Sequence, residues 1–152
     1  MTLSIRRIYE HEVDLIAPLF DAYRQFYSQP ADLPRARAFL HQRMQRGESV
    51  VLLAERDGTA AGFTQLFPMF SSLHTTRVWV LNDLYVASDA RRDGIARALL
   101  DAAARFARDD GAARIVLETN RDNTAARALY RAAGWMEDDT QWYGLVLLPR
   151  DG

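Results

Sequence analysis

The stretch LYVASDARRDGIA, residues 84–96, passes from an apolar segment through a short polar turn directly into an amphipathic pattern. This order predicts a strand followed by a helix, whose first backbone N–H groups lack intrahelical acceptors and lie at the positive end of the helix dipole. Such an end binds phosphate oxygens. Gly94 and Ala96 are small enough for a bulky anion to approach the backbone, and Arg91 and Arg92 add long-range attraction. The stretch therefore predicts a pyrophosphate site.

Two motifs in this part of the chain have a known counterpart. The segment RRDGIA, residues 91–96, resembles the acyl-CoA signature Gln/Arg-x-x-Gly-x-Gly/Ala of the GNAT superfamily of N-acetyltransferases. Downstream, the apolar segment 115–120 precedes NTAARALYRAAGW, residues 123–135, which resembles the next strand, helix and aromatic terminus of that family, with Trp135 in place of the commoner Phe. The resemblance covers residues 78–148 closely and the remainder by the order of its elements.

The resemblance implies an α+β sandwich of the GNAT type, in which a mixed, mostly antiparallel sheet of six to seven strands is flanked by about four helices. It implies an acyl-CoA-dependent N-acetyltransferase, with acetyl-CoA as cosubstrate and direct attack by an amine without a covalent enzyme intermediate. The pantetheine arm would pair with the strand end, and a backbone N–H near Val86 would stabilise the oxyanion. The implied cofactor-binding residues are Leu84, Tyr85, Val86, Arg91, Arg92, Asp93, Gly94, Ile95, Ala96, Arg97, Asn123 and Tyr130.

Composition limits the alternatives. The 152 residues fit a single domain, 1–152, and 19 basic against 20 acidic residues give a formal net charge of -1, with no overall attraction for nucleic acid. Since the chain has no cysteine, disulfides and a cysteine nucleophile are excluded. The three histidines, His11, His41 and His74, fall in unrelated elements, so we expect no metal site. Without a membrane-spanning apolar run or a signal peptide, we expect a soluble cytoplasmic protein.

Hydrophobic periodicity favours the same architecture. Strands are predicted at Leu3–Ile8, 50–55, 60–70, Thr76–Val86, 115–120 and 141–148. Helices are predicted from Val13 to the break at Gln29-Pro30, at 34–45, after Gly94, and at 124–133. This order of elements predicts an α+β sandwich around a mixed sheet.

Tyr130 is the candidate acid that protonates the departing CoA thiolate. It follows Asn123 by two helical turns, so both side chains project toward a cofactor lying between the two strands. Ala126, Leu129 and Ala133 also give Tyr130 a place in a packing face, and periodicity alone favours the core, whereas the resemblance favours the acid. Asn123 has two compatible roles, as the N-cap of this helix and as a cofactor contact.

Asp83 is the first candidate for the general base. On regular alternation it shares a strand face with Trp79, Leu81 and Tyr85, and apolar neighbours would raise its pKa enough to accept an ammonium proton directly or through water. A structural role, as an ion pair or a hydrogen-bonded group, explains Asp83 equally well. Glu118, on the next strand, is the second candidate.

The acceptor amine is less constrained. Residues 79–86 also resemble the diamine acetyltransferase subgroup, but Asn82 stands where an acidic pair would begin, which favours a small amine or an amino-acid side chain over a polyamine. Aromatic side chains either line an acceptor pocket or fill the core. They are Tyr23, Phe26, Tyr27, Phe70 and Trp79.

Three alternatives stay open at the level of the sequence. The acceptor could instead be a protein or peptide amine. The protein could be a CoA-binding regulatory module without turnover. The late apolar residues Trp135, Met136, Trp142 and Tyr143 also favour a homodimer, because a terminal edge seldom exposes so much apolar surface.

Overall fold

The computed structural model describes residues 1–149, in which a five-stranded sheet carries helices on both faces. The strands are β1 (Leu3–Ile8), β2 (Val50–Arg56), β3 (Thr59–Ser71), β4 (Thr76–Val86) and β5 (Arg114–Val116). The α-helices are α1 (Ala17–Phe26), α2 (Leu33–Gln45), α3 (Ile95–Asp109) and α4 (Thr124–Ala132), with short 3-10 helices at Glu10–Leu15 and Ser88–Ala90. The predicted α+β class is confirmed.

Local chemistry explains several of these boundaries. The α2 helix begins after Asp32, whose carboxylate accepts a hydrogen bond from the Arg35 N–H at 3.2 Å, and Pro34 occupies its first turn. The β2–β3 connection turns at Asp57 and Gly58, which both have positive φ, as a tight hairpin requires. Sequence-local signals therefore set these ends.

The strand pairing leaves one edge open inside the sheet. The order is β1-β2-β3-β4-β5, and the first four strands pair antiparallel. The parallel pairing of β4 with β5 ends at the Val80/Val116 pair. From Leu81 to Val86, β4 therefore pairs with β3 only, and its other edge is free to pair with a ligand.

The core is divided between the two faces of the sheet. One cluster packs α3 against the sheet and includes Trp79, Leu81 and Leu99. The other packs α1 and α2 against the opposite face and includes Phe20 and Phe63. The sheet thus separates two sets of helices, and the residues of β4 are distributed between both.

A bulge in β4 changes which residues share a face. Gln65 pairs with Asp83 while the next residue, Leu66, pairs with Leu81, so Asn82 is an extra residue without a partner on β3. Trp79 and Leu81 accordingly pack with the α3 cluster, whereas Tyr85 packs with the α1 cluster. The expectation that Asp83 shares a face with Trp79 and Leu81 was wrong, because the bulge reverses the alternation between Leu81 and Asp83.

The predicted sheet of six to seven strands was also wrong in number. Residues 1–149 form five strands, and β5 is limited to three residues instead of spanning 115–120. The predicted strand at 141–148 does not form, and the segment is unpaired, with Trp142 78% and Leu147 84% exposed. A strand needs a neighbour to satisfy its backbone groups, and within this chain the segment has none among the described residues.

Candidate active site

A cleft opens where β4 and β5 separate. It has a volume of about 430 Å³ and lies between the free edge of β4, the first turn of α3 and the inner face of α4. It is lined by Phe26, Tyr27, Leu84, Tyr85, Val86, Ala90, Arg91, Arg92, Gly94, Ile95, Ala96, Arg97, Asn123, Ala126, Leu129 and Tyr130. Every residue predicted to bind the cofactor lines this cleft except Asp93, so two motifs far apart in sequence meet at one place.

The first turn of α3 has an uncapped N-terminus that faces the cleft. Gly94 occupies the N-cap position with φ 77° and offers no side chain to the free N–H groups. A Cβ at Gly94 would contact no protein atom within 4 Å, so the space beside it is open. Together these features make the turn a site for an anion.

Another glycine brings this helix end close to the sheet. A Cβ on Gly62 of β3 would lie 2.9 Å from the Tyr85 carbonyl oxygen and 3.3 Å from Ile95 Cγ2. The first distance is shorter than real Cβ contacts, and the second is tighter than most of them. Gly62 therefore lets the start of α3 pack closely against the sheet.

Asp93 stabilises the turn from outside the cleft. Its carboxylate pairs with the Arg56 guanidinium at the end of β2, and Arg56 Nη1 also donates to the Asp89 carbonyl oxygen at 3.3 Å. The pairing neutralises a negative charge that would otherwise oppose an anion at the helix end. Asp93 thus lies beside the predicted site and holds its shape, with Arg56 as a partner that spacing in the sequence does not reveal.

The arginines of the motif take different positions. Arg91 Nε donates to the Val86 carbonyl oxygen at 3.2 Å, and its guanidinium lies 5.6 Å from the Tyr85 ring and 5.8 Å from the Phe26 ring. Arg97 pairs with Asp101 one turn along α3 at 3.2 Å. Arg91 therefore closes one end of the cleft, while Arg97 stays at its solvent rim.

Tyr130 and Asn123 both reach the cleft from α4. The Asn123 side chain accepts a hydrogen bond from the Ala126 N–H at 3.4 Å, which confirms its role as the N-cap. Tyr130 is half-buried, packs beside Trp135 with ring centroids 6.4 Å apart, and lines the cleft. Burial raises the pKa of Tyr130, so its phenol keeps its proton at neutral pH and can donate it.

Asp83 is buried next to the cleft and does not line it. The residue is 4% exposed, and its carboxylate accepts hydrogen bonds from the side-chain amides of Gln65 and Asn82, the latter at 2.9 Å. Burial raises the pKa of the Asp83 carboxyl above its usual range, while hydrogen bonds from Gln65, Asn82 and Tyr23 oppose the rise. Asp83 combines the structural role with the raised pKa expected of a base.

Tyr23 of α1 links Asp83 to the side chains of the cleft. Burial and the neighbouring Asp83 carboxylate raise the pKa of Tyr23, and the Tyr27 and Tyr130 hydroxyls contribute to the rise. The Tyr23 ring lies 5.0 Å from that of Tyr27 and 6.1 Å from that of Tyr85. A chain of hydroxyl-bearing rings therefore connects the buried carboxylate with the cleft.

The other candidates lie elsewhere. Trp79 is buried against Phe106, and its indole N–H donates to Asp110 at 2.9 Å, so it belongs to the core. Phe70 is exposed at the far end of β3 beside Arg77 and lines neither described cavity. Glu118 lines a separate groove along β5. Of the predicted aromatic residues, Phe26 and Tyr27 line the cleft.

The environment of Asp83 predicts an unusual pH dependence of stability. Because its pKa is raised in the folded state, Asp83 contributes most stability below about pH 4, the ordinary aspartate range, and this contribution is lost as pH rises through the raised pKa. The unfolding midpoint of the wild type minus that of Asp83→Asn should therefore fall between pH 4 and pH 8. Thermal unfolding of both proteins across this range measures the difference.

Asp14 provides a control of opposite sign. A hydrogen bond from Arg37 lowers the pKa of Asp14, so its contribution, though small on an exposed surface, is present above the ordinary aspartate range and lost in acid. The unfolding midpoint of the wild type minus that of Asp14→Asn should stay constant or rise with pH. A wild-type minus Asp83→Asn difference that does not fall would contradict the buried carboxyl's raised pKa.

The sequence as a whole matches a known family. Residues 16–135 match the model of the Acetyltransferase (GNAT) family, which covers more than half of the chain. The chain belongs to the GNAT family. It is therefore an acetyltransferase, and family membership implies acetyl-CoA as cosubstrate. The uncapped N-terminus of α3, the open space at Gly94 and the free edge of β4 fit the pyrophosphate and the pantetheine arm of this group.

Individual GNAT relatives agree with this assignment. The chain is 45% identical over 136 residues to the uncharacterized N-acetyltransferase YhfO of Bacillus subtilis, covering 90% of this chain and 91% of that protein. It is 33% identical over 101 residues to the aminoglycoside N(6')-acetyltransferase type 1 of Klebsiella aerogenes, covering 65% and 66%. A crystal structure of a probable acetyltransferase superposes with a TM-score of 0.92 at 41% identity, covering 97% of this chain and 99% of that one.

Two further features of this GNAT protein concern membranes and metals. Within residues 1–149, no helix is both long and apolar enough to cross a membrane. No cluster of three potential metal-ligating side chains occurs in the same part of the chain. The expectations of a cytoplasmic location and of no nucleic-acid partner stay predictions.

Proposed function

We propose that this protein transfers the acetyl group of acetyl-CoA to the primary amine of a small molecule by direct attack in a ternary complex, with residues 1–152 acting as one catalytic domain. The observation that carries the proposal is the convergence of three features on one cleft. These are the uncapped N-terminus of α3, the free edge of β4 and the protonated phenol of Tyr130.

The cofactor would be held mainly by backbone groups. The N–H groups at the start of α3, around Gly94 and Ala96, bind the pyrophosphate, and Arg92 supplies positive charge at the rim. The backbone of Leu84, Tyr85 and Val86 pairs with the pantetheine arm as an added strand. A backbone N–H on this edge would stabilise the charge on the thioester oxygen, which is worth several kcal/mol in acyl transfer.

Tyr130 would complete the transfer. When the amine nitrogen bonds to the acetyl carbon, the C–S bond breaks and negative charge develops on sulfur. The Tyr130 phenol lines the same cleft and donates its proton to the sulfur. The phenol is protonated at neutral pH, so the proton is present at the start of each turnover, and the phenolate left after the transfer regains a proton from solvent.

Asp83 would receive the proton of the ammonium through Tyr23. The carboxylate does not line the cleft, so a direct contact with the acceptor is not part of the proposal. The Tyr23 hydroxyl lies near enough to Asp83 for each group to shift the pKa of the other, and the Tyr23 ring contacts Tyr27 and Tyr85 of the cleft. Tyr23 would thus act as a proton relay, which passes its own proton to Asp83 as it accepts the proton of the ammonium.

The acceptor class is inferred from the walls of the site. Phe26, Tyr27 and Tyr85 form an aromatic side of the cleft, which suits an ammonium group or an apolar amine. The similarity to an aminoglycoside acetyltransferase supports a small molecule that carries amines. The closer resemblance to diamine acetyltransferases stays a prediction.

Release of free CoA thiol tests the proposal. The protein is mixed with acetyl-CoA and, separately, with amino acids, diamines, aminoglycosides and an amine-bearing peptide, and thiol is measured against an amine-free control. Amine-dependent release with a small-molecule amine supports the proposal. Release with the peptide alone would assign a protein acceptor, and acetyl-CoA binding without release for any amine would assign a binding module.

A further inference from the structure

The segment Gln141–Leu148 exposes more apolar surface than any other part of residues 1–149. Trp142 is 78% exposed, Tyr143 92% and Leu147 84%. Leu145, Val146 and Leu148 are also largely exposed. Because an aromatic side chain alone presents about 150–250 Å², six largely exposed apolar residues in one segment expose an area of the same order as the ~800 Å² per partner of a standard stable interface.

A groove next to this segment is bounded by unpaired backbone. It has a volume of about 530 Å³ and lies between β5 and residues 136–142. The β5 strand pairs only with β4, and residues 136–149 make no backbone hydrogen bond to other described residues. The backbone groups of both walls are therefore free to pair with an inserted strand.

Residues 136–142 of the same chain form one wall of the groove, and residues 143–148 do not fill it. Asp138 pairs with Arg114 of β5 at 2.9 Å, and Glu137 pairs with Arg127 of α4 at 3.7 Å. These two ion pairs hold residues 136–138 in place beside β5 and α4. Residues up to Trp142 line the groove, and residues 143–148 do not. The segment leaves the groove empty and continues away from it.

We propose that the protein is a strand-exchanged dimer, in which residues 143–148 of each copy fill the groove of the other. Each copy has one unpaired strand and one groove with two unpaired walls, so reciprocal exchange about a twofold axis satisfies both at once. The inserted strand would pair with β5 on one side and with residues 136–140 on the other. The occupant is a second copy because the strand and the groove that it fits belong to the same chain.

The exchange would also complete the active site. Tyr130 lines both the cleft and the groove, and Trp135 lines the groove beside it. A strand in the groove would pack against the side of Tyr130 that faces away from the cleft and fix its ring. The dimer is therefore expected to be the active form.

Sedimentation of the full-length chain tests the dimer. The wild type should sediment with twice the 17.3 kDa mass of one chain, and Leu147→Asp should shift it to the monomer. Leu73→Asp is the matched control, because Leu73 is 86% exposed against 84% for Leu147 and lies in the β3–β4 turn. In an isolated chain both substitutions lie in water and leave its fold intact, so only a dimer that buries Leu147 predicts a difference between them.

A cross-link distinguishes strand exchange from other dimers. Since the chain has no cysteine, single-cysteine variants can be linked only between copies. Cysteine is placed at Ile115 or Leu117 in one chain and at Leu145 or Leu147 in another, and each of the four pairs is unfolded together, refolded and oxidised. Mass spectrometry should find a disulfide between β5 of one chain and the segment of the other in at least one pair.

Three results would overturn the inference. They are a monomeric wild type, a dimer that Leu147→Asp leaves intact, and a dimer that forms none of the four cross-links. Mass and cross-linking do not depend on acetyl-CoA, so this inference and the proposed acetyl transfer can fail separately.

Discussion

Replacing Tyr130 by Phe should lower kcat for acetyl transfer by about 10²–10⁴-fold, the range for loss of a general acid, with little change in KM for acetyl-CoA. The substitution removes the phenol proton and keeps the ring, which packs beside Trp135 and lines the cleft. The unfolding midpoint should therefore stay close to that of the wild type. A fall in kcat without a fall in stability would place the effect on the chemical step.

Steady-state rates at saturating acetyl-CoA and amine measure this effect. Tyr9→Phe is a suitable control, because it makes the same chemical change on a residue beyond the end of β1 that lines neither described cavity. The decline of kcat above the ordinary tyrosine pKa, expected from the raised pKa of Tyr130, should disappear in Tyr130→Phe. An unchanged kcat would rule out Tyr130 as the acid and leave it a packing residue.

Replacing Gly94 by Val should raise the dissociation constant for acetyl-CoA at least about tenfold, because one lost interaction of about 1.4 kcal/mol has that effect. The new side chain would project into the open space where the pyrophosphate approaches the α3 N–H groups. The positive φ of 77° adds strain, so stability should also fall by about 1–2 kcal/mol. Calorimetric titration with acetyl-CoA measures the binding term directly.

Gly111 separates the strain from the loss of binding. It lies just beyond the other end of α3, has φ 82°, and a Cβ there would also meet no atom within 4 Å. Gly111→Val should lose similar stability and keep its affinity for acetyl-CoA. Equal affinities in the two variants would show that the turn at Gly94 does not contact the cofactor.

The parts of the fold that depend on local signals could be predicted from the sequence. β1 and β4 have the predicted bounds, and α2 and α4 begin and end within one residue of prediction, because caps, prolines and glycines mark their termini. The cleft between β4 and α3 was also predictable, since it is built from backbone at a strand end and a helix start. Small residues such as Gly94 and Ala96 indicate such a site in the sequence, because they let a ligand approach the backbone.

Features that depend on distant contacts were not predictable. The bulge at Asn82 arises from the pairing of β4 with β3, and no residue type near it indicates an extra residue in the strand. It moves Asp83 to the face of Tyr23, which brings the Tyr23 hydroxyl near the buried carboxylate. The pairing of Asp93 with Arg56 likewise joins residues from separate strands and loops.

The end of the chain shows a different limit. The apolar pattern of residues 141–148 predicts a strand, but a strand forms only where a neighbour is present. In an isolated chain that neighbour is missing, and the five-stranded sheet ends at β5. Alternation can predict that a segment will pair, and it cannot identify the partner.

Thermal unfolding with increasing acetyl-CoA tests the central claim, that the cleft between β4 and α3 binds this cosubstrate. A ligand that binds only the folded state at 100 times its dissociation constant adds about 2.7 kcal/mol, which for a protein of this size raises the midpoint by roughly 5–10 °C. We expect a concentration-dependent rise of this order for the wild type. No rise at millimolar acetyl-CoA would contradict the assignment of the cleft and the acetyl transfer built on it.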